Sequence, residues 1–265
     1  MPQELIDTHC HIDFNIFDHD RDEILERCHQ ANITKIVVPS VEYSGWAKLA
    51  ALNSSVVHFF KAFGLHPAFL NNHQDAHLDA LDDLLNKDRP AALGEIGLDF
   101  YLKGLDKQRQ NYLFVAQLKL AKKYQLPVIL HVRKAHDQVL ECLESNLIQG
   151  GIVHAFNGSL DHARRYNMLG FKLGIGGAVT WPQARKIRAL AKDLPSNSIV
   201  LETDAPDMAV ESLRSRSKDK NRPPLNSPEH LIEILDTLAR IRKSTPEEIA
   251  IRSTENALSI LNTNS

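Results

Sequence analysis

Short apolar runs alternate with longer amphipathic segments along the chain. Several of these runs are unbroken stretches of β-branched and aliphatic residues, which is typical of strands covered on both faces, as in a parallel sheet. The pattern predicts eight strands: Leu5–His11, Lys35–Ser40, Val57–Gly64, Ala91–Gly97, Pro127–Val132, Gly151–Ala155, Phe171–Gly176 and Ser198–Thr203.

Helical periodicity fills the intervals between these runs, as where Leu78, Leu81 and Leu85 recur on one helical face. It predicts six helices: Asp20–Ala31, Asp75–Lys87, Lys107–Tyr124, Ala135–Ser145, Leu160–Leu169 and Pro182–Lys192. Repeated strand–helix alternation favours βαβ units, and eight strands in about 200 residues predict an α/β fold of the (β/α)₈ TIM barrel type.

Two further helices are predicted after the last strand. Ser227 and Pro228 supply an N-cap and a first helical residue. The segment Thr245–Glu248 has the sequence of a capping box with proline inside it. Because no repeat and no linker interrupts the pattern, we expect residues 1–265 to form a single barrel domain with extra C-terminal helices.

The composition of the chain limits the cellular compartment and the kinds of partner that are expected for it. A chain of 265 residues buries enough surface to fold without disulfides, and the three cysteines show no paired spacing, so free thiols in a reducing cytoplasm are expected. No apolar run approaches the length of a membrane span, and no secretory pattern or obligate protein partner is evident. A net charge of −2 argues against coating of duplex nucleic acid but leaves room for a short strand entering a pocket.

Candidate metal ligands stand at the predicted strand ends. His9 and His11 are spaced i and i+2 at the end of strand 1, so both imidazoles are expected on one side of that strand. Glu95 ends strand 4 between two glycines, where a buried carboxylate needs either a cation or an arginine partner.

Three more candidates end later strands: His131, His154 and Asp204. Either histidine alone would suit a hydrogen-bonded core position, but the catalytic groups of a barrel gather at the C-terminal ends of its strands. Four imidazoles and two carboxylates form a ligand set that suits Zn²⁺, Mn²⁺ or related ions. One ion cannot use six such ligands and still admit substrate, so a pair of ions is expected.

Five motifs follow one another along the chain: Asp7–His11, Gly64–Pro67, Gly94–Asp99, Pro127–His131 and Glu202–Pro206. They resemble the motifs of the TatD family, which belongs to the amidohydrolase superfamily of metal-dependent hydrolases. The likeness runs from about residue 5 to residue 260 and is strongest to bacterial YjjV-type members.

The resemblance implies a binuclear site that binds two divalent ions, whether Zn²⁺, Mg²⁺ or Mn²⁺. By position, the first metal would be held by His9, His11 and Asp204, and the second by His131 and His154, with Glu95 as the bridge. Family members include deoxyribonucleases and 3′-exonucleases that cleave phosphodiesters with metal-activated water. The alternative is a carboxylic ester or amide hydrolase, such as an aminoacyl-tRNA deacylase or a small-molecule amidohydrolase. A third hypothesis is a metal-stabilised binding protein with little turnover. The complete ligand set argues against it.

Two of the ligands are also predicted to act in catalysis. Asp204 would take a proton from the attacking water and pass it to the leaving group, while Glu95 would hold the ions together. Hydrolysis of an ester bond, most simply a phosphodiester, is therefore the expected reaction.

Four residues are candidates for other roles at the site. His66 would donate a hydrogen bond to substrate, or is a satisfied strand-end histidine. Glu202 would orient a metal-bound histidine or water, or form an ion pair. Arg133 and Arg222 would pair with phosphate oxygens, or are surface residues. A fifth residue, Asp99, is expected to support the loop after strand 4, with a substrate role as the alternative.

The segment Asp207–Asn226 is polar and carries five basic residues. It is either a surface loop over the barrel mouth or a solvated connector. Many TatD members have Asn-Glu-Pro where this chain has Asn221–Arg222–Pro223, and the positive group favours an anionic substrate. The predicted substrate therefore bears phosphate, with single-stranded DNA or RNA ends as the first choice.

Overall fold

The apolar runs form eight strands in the computed structural model, which describes residues 3–215 and 225–261. One sheet contains them in chain order, and the strand pairs with a defined register are parallel. The strands are β1 Leu5–Asp7, β2 Ile33–Pro39, β3 His58–Phe63, β4 Ala92–Asp99, β5 Val128–Arg133, β6 Gly151–Val153, β7 Phe171–Ile175 and β8 Ile199–Leu201.

A helix lies between each pair of consecutive strands, and two more follow β8. They are α1 Arg21–Gln30, α2 Trp46–Ala51, α3 Ala76–Asp88, α4 Lys107–Tyr124, α5 His136–Asn146, α6 Leu160–Met168, α7 Arg185–Asp193, α8 Leu231–Arg242 and α9 Pro246–Leu261. This alternation confirms the predicted (β/α)₈ class with extra C-terminal helices. The short helix α2 was not predicted, because six residues hold too little helical period to detect.

β1 and β8 are among the strands that end earlier than predicted. β1 ends at Asp7 rather than His11, because Thr8 and Cys10 donate backbone hydrogen bonds to different neighbours, at Leu201 and Val37. β8 ends at Leu201, and Asp204 has a φ of +57°, which no strand residue adopts. Strand alternation therefore does not place His9 beside His11, or Glu202 beside Asp204, as the sequence pattern had suggested.

The chain divides into two compact units, the first of which spans described residues in 3–38, 52–59 and 174–258. Here a hydrogen bond of 3.0 Å from the amide of Thr8 to Leu201 joins β8 to the end of β1. Helix α9 is tied to the beginnings of the same strands, since Thr254 donates to the carbonyl of Glu4 and Asn256 to that of Ile199. The C-terminal helix thus supports the strand ends opposite to those that carry the candidate ligands.

The second unit spans described residues in 39–51, 60–173 and 259–261 and contains β4, which is buried along its whole length. Two glutamines of α4 each bind both backbone groups of one residue that follows or ends a strand. Gln110 bonds Asp99 and Gln117 bonds Leu65, at 2.8 Å from each amide to the side-chain oxygen. These buried side-chain amides satisfy the backbone groups of Asp99 and Leu65, so they fix the exit of the chain from β3 and β4.

The three cysteines are unpaired, as the sequence predicts. Cys10, Cys28 and Cys142 are free thiols, and burial raises the pKa of each. In the described ranges, no helix combines the length and the apolar character that crossing a bilayer requires.

The predicted capping box of α9 is present and gives a test of the C-terminal helix. The Glu248 amide donates to the Thr245 hydroxyl at 3.2 Å, and the Thr245 amide donates to the Glu248 carboxylate at 3.0 Å. Replacing Thr245 by alanine removes one of these bonds and is expected to cost about 1 kcal/mol of stability. Thermal unfolding should show a Tm lower by about 2–4 °C. Glu255→Gln, at an exposed position farther along α9, is the control and should leave Tm nearly unchanged, because its surface ion pair with Arg252 contributes little.

Candidate metal centre

In the first unit, His9, His11 and Asp204 converge on one point. Both imidazole Nε2 atoms lie 3.7 Å from the same carboxylate oxygen, Asp204 Oδ1. The two rings meet edge to face with centroids 5.0 Å apart, and the ring of Phe14 stacks on His11 at 4.7 Å. His9 is buried, whereas 14% of the Asp204 side chain is exposed, so the carboxylate can be reached from solvent. The three predicted ligands of the first metal are therefore together in this structure.

A buried carboxylate that sequence reasoning had not singled out holds this group in place. Asp7 accepts hydrogen bonds from the amide and hydroxyl of Thr203, at 2.9 and 2.5 Å, and from the amide of His9 at 3.2 Å. The backbone of Asp204 in turn donates to the carbonyl of His9 at 2.8 Å. The end of β1 and the segment after β8 are thereby locked together. The signal available in the sequence was an acid at the end of an apolar run, two residues before the first histidine.

Glu202 is fully buried against the backbone of β7. A Cβ built on Gly174 would lie 2.0 Å from Glu202 Oε2, so only glycine leaves room for this carboxylate. Its predicted part in orienting a metal-bound group remains a prediction.

In the second unit, Glu95 lies between two histidines. Glu95 Oε1 is 3.1 Å from His131 Nδ1 and 3.2 Å from His66 Nε2. The three residues offer donor atoms that all lie within 4.8 Å of one another, and Glu95 is only 1% exposed. His66, predicted as a substrate contact, thus lies in direct contact with two predicted metal-centre residues.

The hydrogen bonding of His66 defines its tautomer. His66 Nδ1 accepts from the amide of Ala68 at 3.0 Å, and burial lowers the pKa of the imidazole, although Glu95 opposes this. The ring is therefore neutral with its proton on Nε2, which points at Glu95 Oε1. A histidine held in this way is a hydrogen-bond donor, which suits contact with a substrate oxygen better than ligation of a cation.

His131 is held between two carboxylates, with Nδ1 at Glu95 and Nε2 at 3.0 Å from Asp99 Oδ2. Burial lowers the pKa of His131, but the hydrogen bonds to Asp99 and Glu95 outweigh it and the pKa is raised. A cation that binds this ring must therefore displace a proton. β4 lies very close to β5 at this point. A Cβ built on Gly97, whose φ is +145°, would lie 1.9 Å from the carbonyl oxygen of His131, so only glycine fits there.

Asp99 has two functions, of which the sequence indicated one. Its Oδ1 accepts from the amides of Tyr101 and Leu102 at 2.9 and 3.0 Å, so it supports the loop as predicted. Its Oδ2 binds His131, an arrangement in which a carboxylate orients a metal-ligating histidine. Burial raises the pKa of Asp99, but the bonds from His131 and the two amides outweigh it and hold the pKa below its usual value.

Replacing Asp99 by asparagine tests this positioning. The asparagine oxygen still accepts from the loop amides, but its NH₂ group now faces His131 Nε2 in place of an acceptor. We expect the affinity of this half of the site for a divalent cation to fall by about 10–100-fold, measured by competition with a chromophoric chelator. Asp83→Asn, on the exposed face of α3, is the control. A structural role alone would lower Tm and leave cation affinity unchanged.

His154 follows β6 directly, and its amide donates to the carbonyl of Leu130 at 3.0 Å. Its ring lies 6.4 Å from that of His131, centroid to centroid, at an angle of 27°. The structure therefore brings His154 near His131, but the group of donor atoms closest to Glu95 within this unit includes His66 instead.

The two predicted phosphate-binding arginines have different outcomes. Arg133 is exposed at the end of β5, with its guanidinium 3.9 Å from the centre of the Tyr101 ring. Arg222 lies outside the described residues, as does most of the basic part of the segment Asp207–Asn226. Where that segment is described, it packs on the turn after β7, with Trp181 donating to Ala209 and Arg214 6.0 Å from the indole ring.

The donor atoms in both units fit a divalent cation. Each group combines imidazole nitrogens with a carboxylate oxygen, the mixture that Zn²⁺, Mn²⁺ and similar ions accept. In addition, the carboxylate of Asp99 behind His131 is the outer partner that a ligating histidine normally has.

Known proteins match the chain over nearly its whole length. The family described as TatD related DNase matches residues 6–262. An uncharacterized metal-dependent hydrolase of Escherichia coli K12, YjjV, is 40% identical over 97% of both chains, and the crystal structure of YjjV superposes with a TM-score of 0.89, 38% identity and 98% coverage of both chains. A protein of Cronobacter sakazakii named 3′-5′ ssDNA/RNA exonuclease TatD is 30% identical over 96% of both chains. With its barrel class, its clustered candidate ligands and this similarity along the whole sequence, the chain belongs to the TatD family of metal-dependent hydrolases.

Proposed function

We propose that this hydrolase cleaves phosphodiester bonds at the ends of single-stranded DNA or RNA. The observation that carries the proposal is the contact of Glu95 with His131 and His66, with the exposed cation Arg133 two residues beyond His131 on the same strand. Glu95 and His131 offer ligands for a hydrolytic centre, and an exposed guanidinium beside them suits a phosphate. The exonuclease name of the Cronobacter relative supports the same substrate class.

We assign one cation to His9, His11 and Asp204 and a second to Glu95, His131 and His154. Bound divalent cations supply a water of lowered pKa and positive charge beside the scissile group. The protein holds the ligands in place from behind, through Asp7 in the first unit and Asp99 in the second. This support keeps the donor atoms clustered before any cation arrives, which lowers the cost of binding.

Asp204 is the proposed general base. Its carboxylate is accessible, and a cation shared with His9 and His11 would favour its ionised form. It would accept the proton of the attacking water as the new P–O bond forms, and return it to the leaving oxygen as the old P–O bond breaks. When Glu95 binds a cation instead, the Nε2 proton of His66 would be available for a hydrogen bond to a substrate oxygen.

The test follows 5′-labelled single-stranded DNA, 5′-labelled RNA and an aminoacyl-tRNA. Protein stripped with a chelator is compared with protein reloaded with Mg²⁺, Mn²⁺ or Zn²⁺. We expect reloaded protein to shorten the labelled strands from their 3′ ends and stripped protein to leave them intact. If reloaded protein deacylates the aminoacyl-tRNA and leaves both labelled strands intact with every ion, the nuclease proposal is wrong and carboxylic ester hydrolysis takes its place.

A further inference from the structure

An exposed aromatic ring lies against an exposed cation at the ends of β4 and β5. The guanidinium of Arg133 lies 3.9 Å from the centre of the Tyr101 ring, and Tyr101 is 56% exposed. Within the described part of the chain, Arg133 forms no ion pair with a carboxylate. Stacking on an aromatic face leaves the N–H edge of a guanidinium available, so Arg133 can still bind an anion with two parallel hydrogen bonds.

This pair is rigidly connected to the proposed metal centre. Arg133 and His131 are two residues apart on β5, so their side chains project from the same side of the strand. Tyr101 is fixed by Asp99, whose Oδ1 accepts from the Tyr101 amide while its Oδ2 binds His131. The amide of Phe100 donates to the carbonyl of Arg133 at 2.8 Å, which joins the loop to β5. One carboxylate therefore sets the orientation of both the ligating histidine and the exposed ring.

The loop around the pair carries further positive charge. Lys103 and Lys134 are exposed next to Tyr101 and Arg133, and the ammonium of Lys107 lies 4.6 Å from the centre of the Phe100 ring. The acid in the same loop, Asp106, caps α4 by accepting from the amides of Gln108 and Arg109. This edge is suited to an anionic chain that also offers a flat apolar surface.

We propose that Tyr101 and Arg133 form a nucleotide subsite next to the metal centre. The Tyr101 ring stacks on a nucleobase, and the Arg133 guanidinium binds the phosphate that follows it. Because every base has a π face, this subsite selects single-stranded nucleic acid over small esters without reading its sequence. The inference rests on the proposed function and deepens it by assigning substrate preference to two residues.

The chain contains a matched control for this subsite. Tyr112 on α4 is also exposed, at 51%, and the guanidinium of Arg109 lies 5.0 Å from the centre of its ring. It is an arginine–tyrosine pair of the same kind on a helix rather than at strand ends. Tyr112→Leu therefore reports any general effect of removing an exposed ring.

The experiment measures binding of a fluorescein-labelled oligothymidylate to metal-loaded protein by anisotropy, with phosphorothioate linkages to slow cleavage. We expect Tyr101→Leu to weaken binding about tenfold, the effect of losing one base–aromatic stack. Tyr101→Phe keeps the ring and should bind within about twofold of the original protein, on the same stacking argument. Tyr112→Leu should change nothing. An abasic strand of equal length should bind Tyr101→Leu and the original protein equally.

Arg133→Ala tests the phosphate contact separately. It should weaken binding of both the thymidylate and the abasic strand, and reduce the slope of log affinity against log salt by about 0.7, the value of one phosphate contact on a single strand. An unchanged affinity in Tyr101→Leu, an equal loss in Tyr112→Leu, or an equal loss with the abasic strand would each overturn the subsite.

Hydrolysis of bis(4-nitrophenyl) phosphate separates this inference from the proposed function. If the original protein cleaves this small diester but neither binds nor cleaves oligonucleotides, both proposals are wrong. If it cleaves labelled oligonucleotides while Tyr101→Leu binds them normally, the subsite alone is wrong. The expected result is that Tyr112→Leu keeps full activity on both substrates, whereas Tyr101→Leu loses more activity on oligonucleotides than on the small diester.

Discussion

Asp204→Asn is expected to lower kcat by about 10²–10⁴-fold, the range for loss of a general base. Asparagine has nearly the same shape as aspartate, and its backbone can keep the left-handed conformation that Asp204 adopts, since asparagine tolerates that region well. What is lost is the negative charge facing His9 and His11 and the capacity to carry a proton. The rate should be measured at saturating metal on the labelled single strands, so that weaker cation binding does not contribute.

The control for this substitution is Asp207→Asn in the same segment. Asp207 is exposed, and its amide donates to the carbonyl of Asp204, a bond that the substitution preserves. Its kcat should stay within about twofold, because exposed substitutions away from a site usually have small effects. If Asp204→Asn has the same kcat as Asp207→Asn under metal saturation, another group is the base.

Glu95→Gln is expected to have the second large effect, on cation binding as well as on rate. Glu95 is 1% exposed, and its Oε1 contacts both His66 and His131. A neutral amide removes the charge that a cation in this half of the site would need and places an NH₂ group or a weaker acceptor among the nitrogen donors. Loss of a direct ligand should exceed the 10–100-fold typical of outer partners, so we expect activity to fall by at least about 100-fold.

Cation stoichiometry shows whether this effect arises as proposed. Metal analysis at fixed free Mn²⁺ or Zn²⁺ should find about one bound equivalent fewer in Glu95→Gln than in the original protein, as expected when one two-metal subsite is lost. Glu26→Gln, at an exposed position on α1, serves as the control and should keep the full number. Two equivalents held by Glu95→Gln with unchanged affinity would contradict the role given to this carboxylate.

The two substitutions act on separate units of the chain, and this makes them informative together. His9, His11 and Asp204 lie in the first unit, whereas Glu95 and His131 lie in the second. If the two groups hold different cations, Asp204→Asn should leave the cation bound at Glu95 in place. A chelator titration of each variant therefore assigns the remaining ion to one group.

Much of the fold could be predicted from the sequence, because parallel strands that are covered on both faces consist of continuous apolar runs. The helix α4 occupies the predicted residues, and the capping box at Thr245 is formed as its sequence indicates. Local signals of this kind depend on neighbouring residues alone, so they survive without knowledge of the tertiary structure. The end of β1 was wrong by four residues, because contacts of Thr8 and Cys10 with distant backbone ended it.

For the candidate site, the sequence by itself determined the family, the barrel class and the chemistry of the donors, since motif order and residue type need no coordinates. Only the tertiary structure decided how those donors are held. It places the imidazole of His66 against Glu95 and the carboxylate of Asp99 against His131. It also pairs the carboxylate of Asp7 with Thr203, the residue directly before Asp204. These are hydrogen bonds across 29 to 196 positions of sequence. No local pattern encodes such pairings, because they arise only when the strands are side by side and each buried polar group must find a partner.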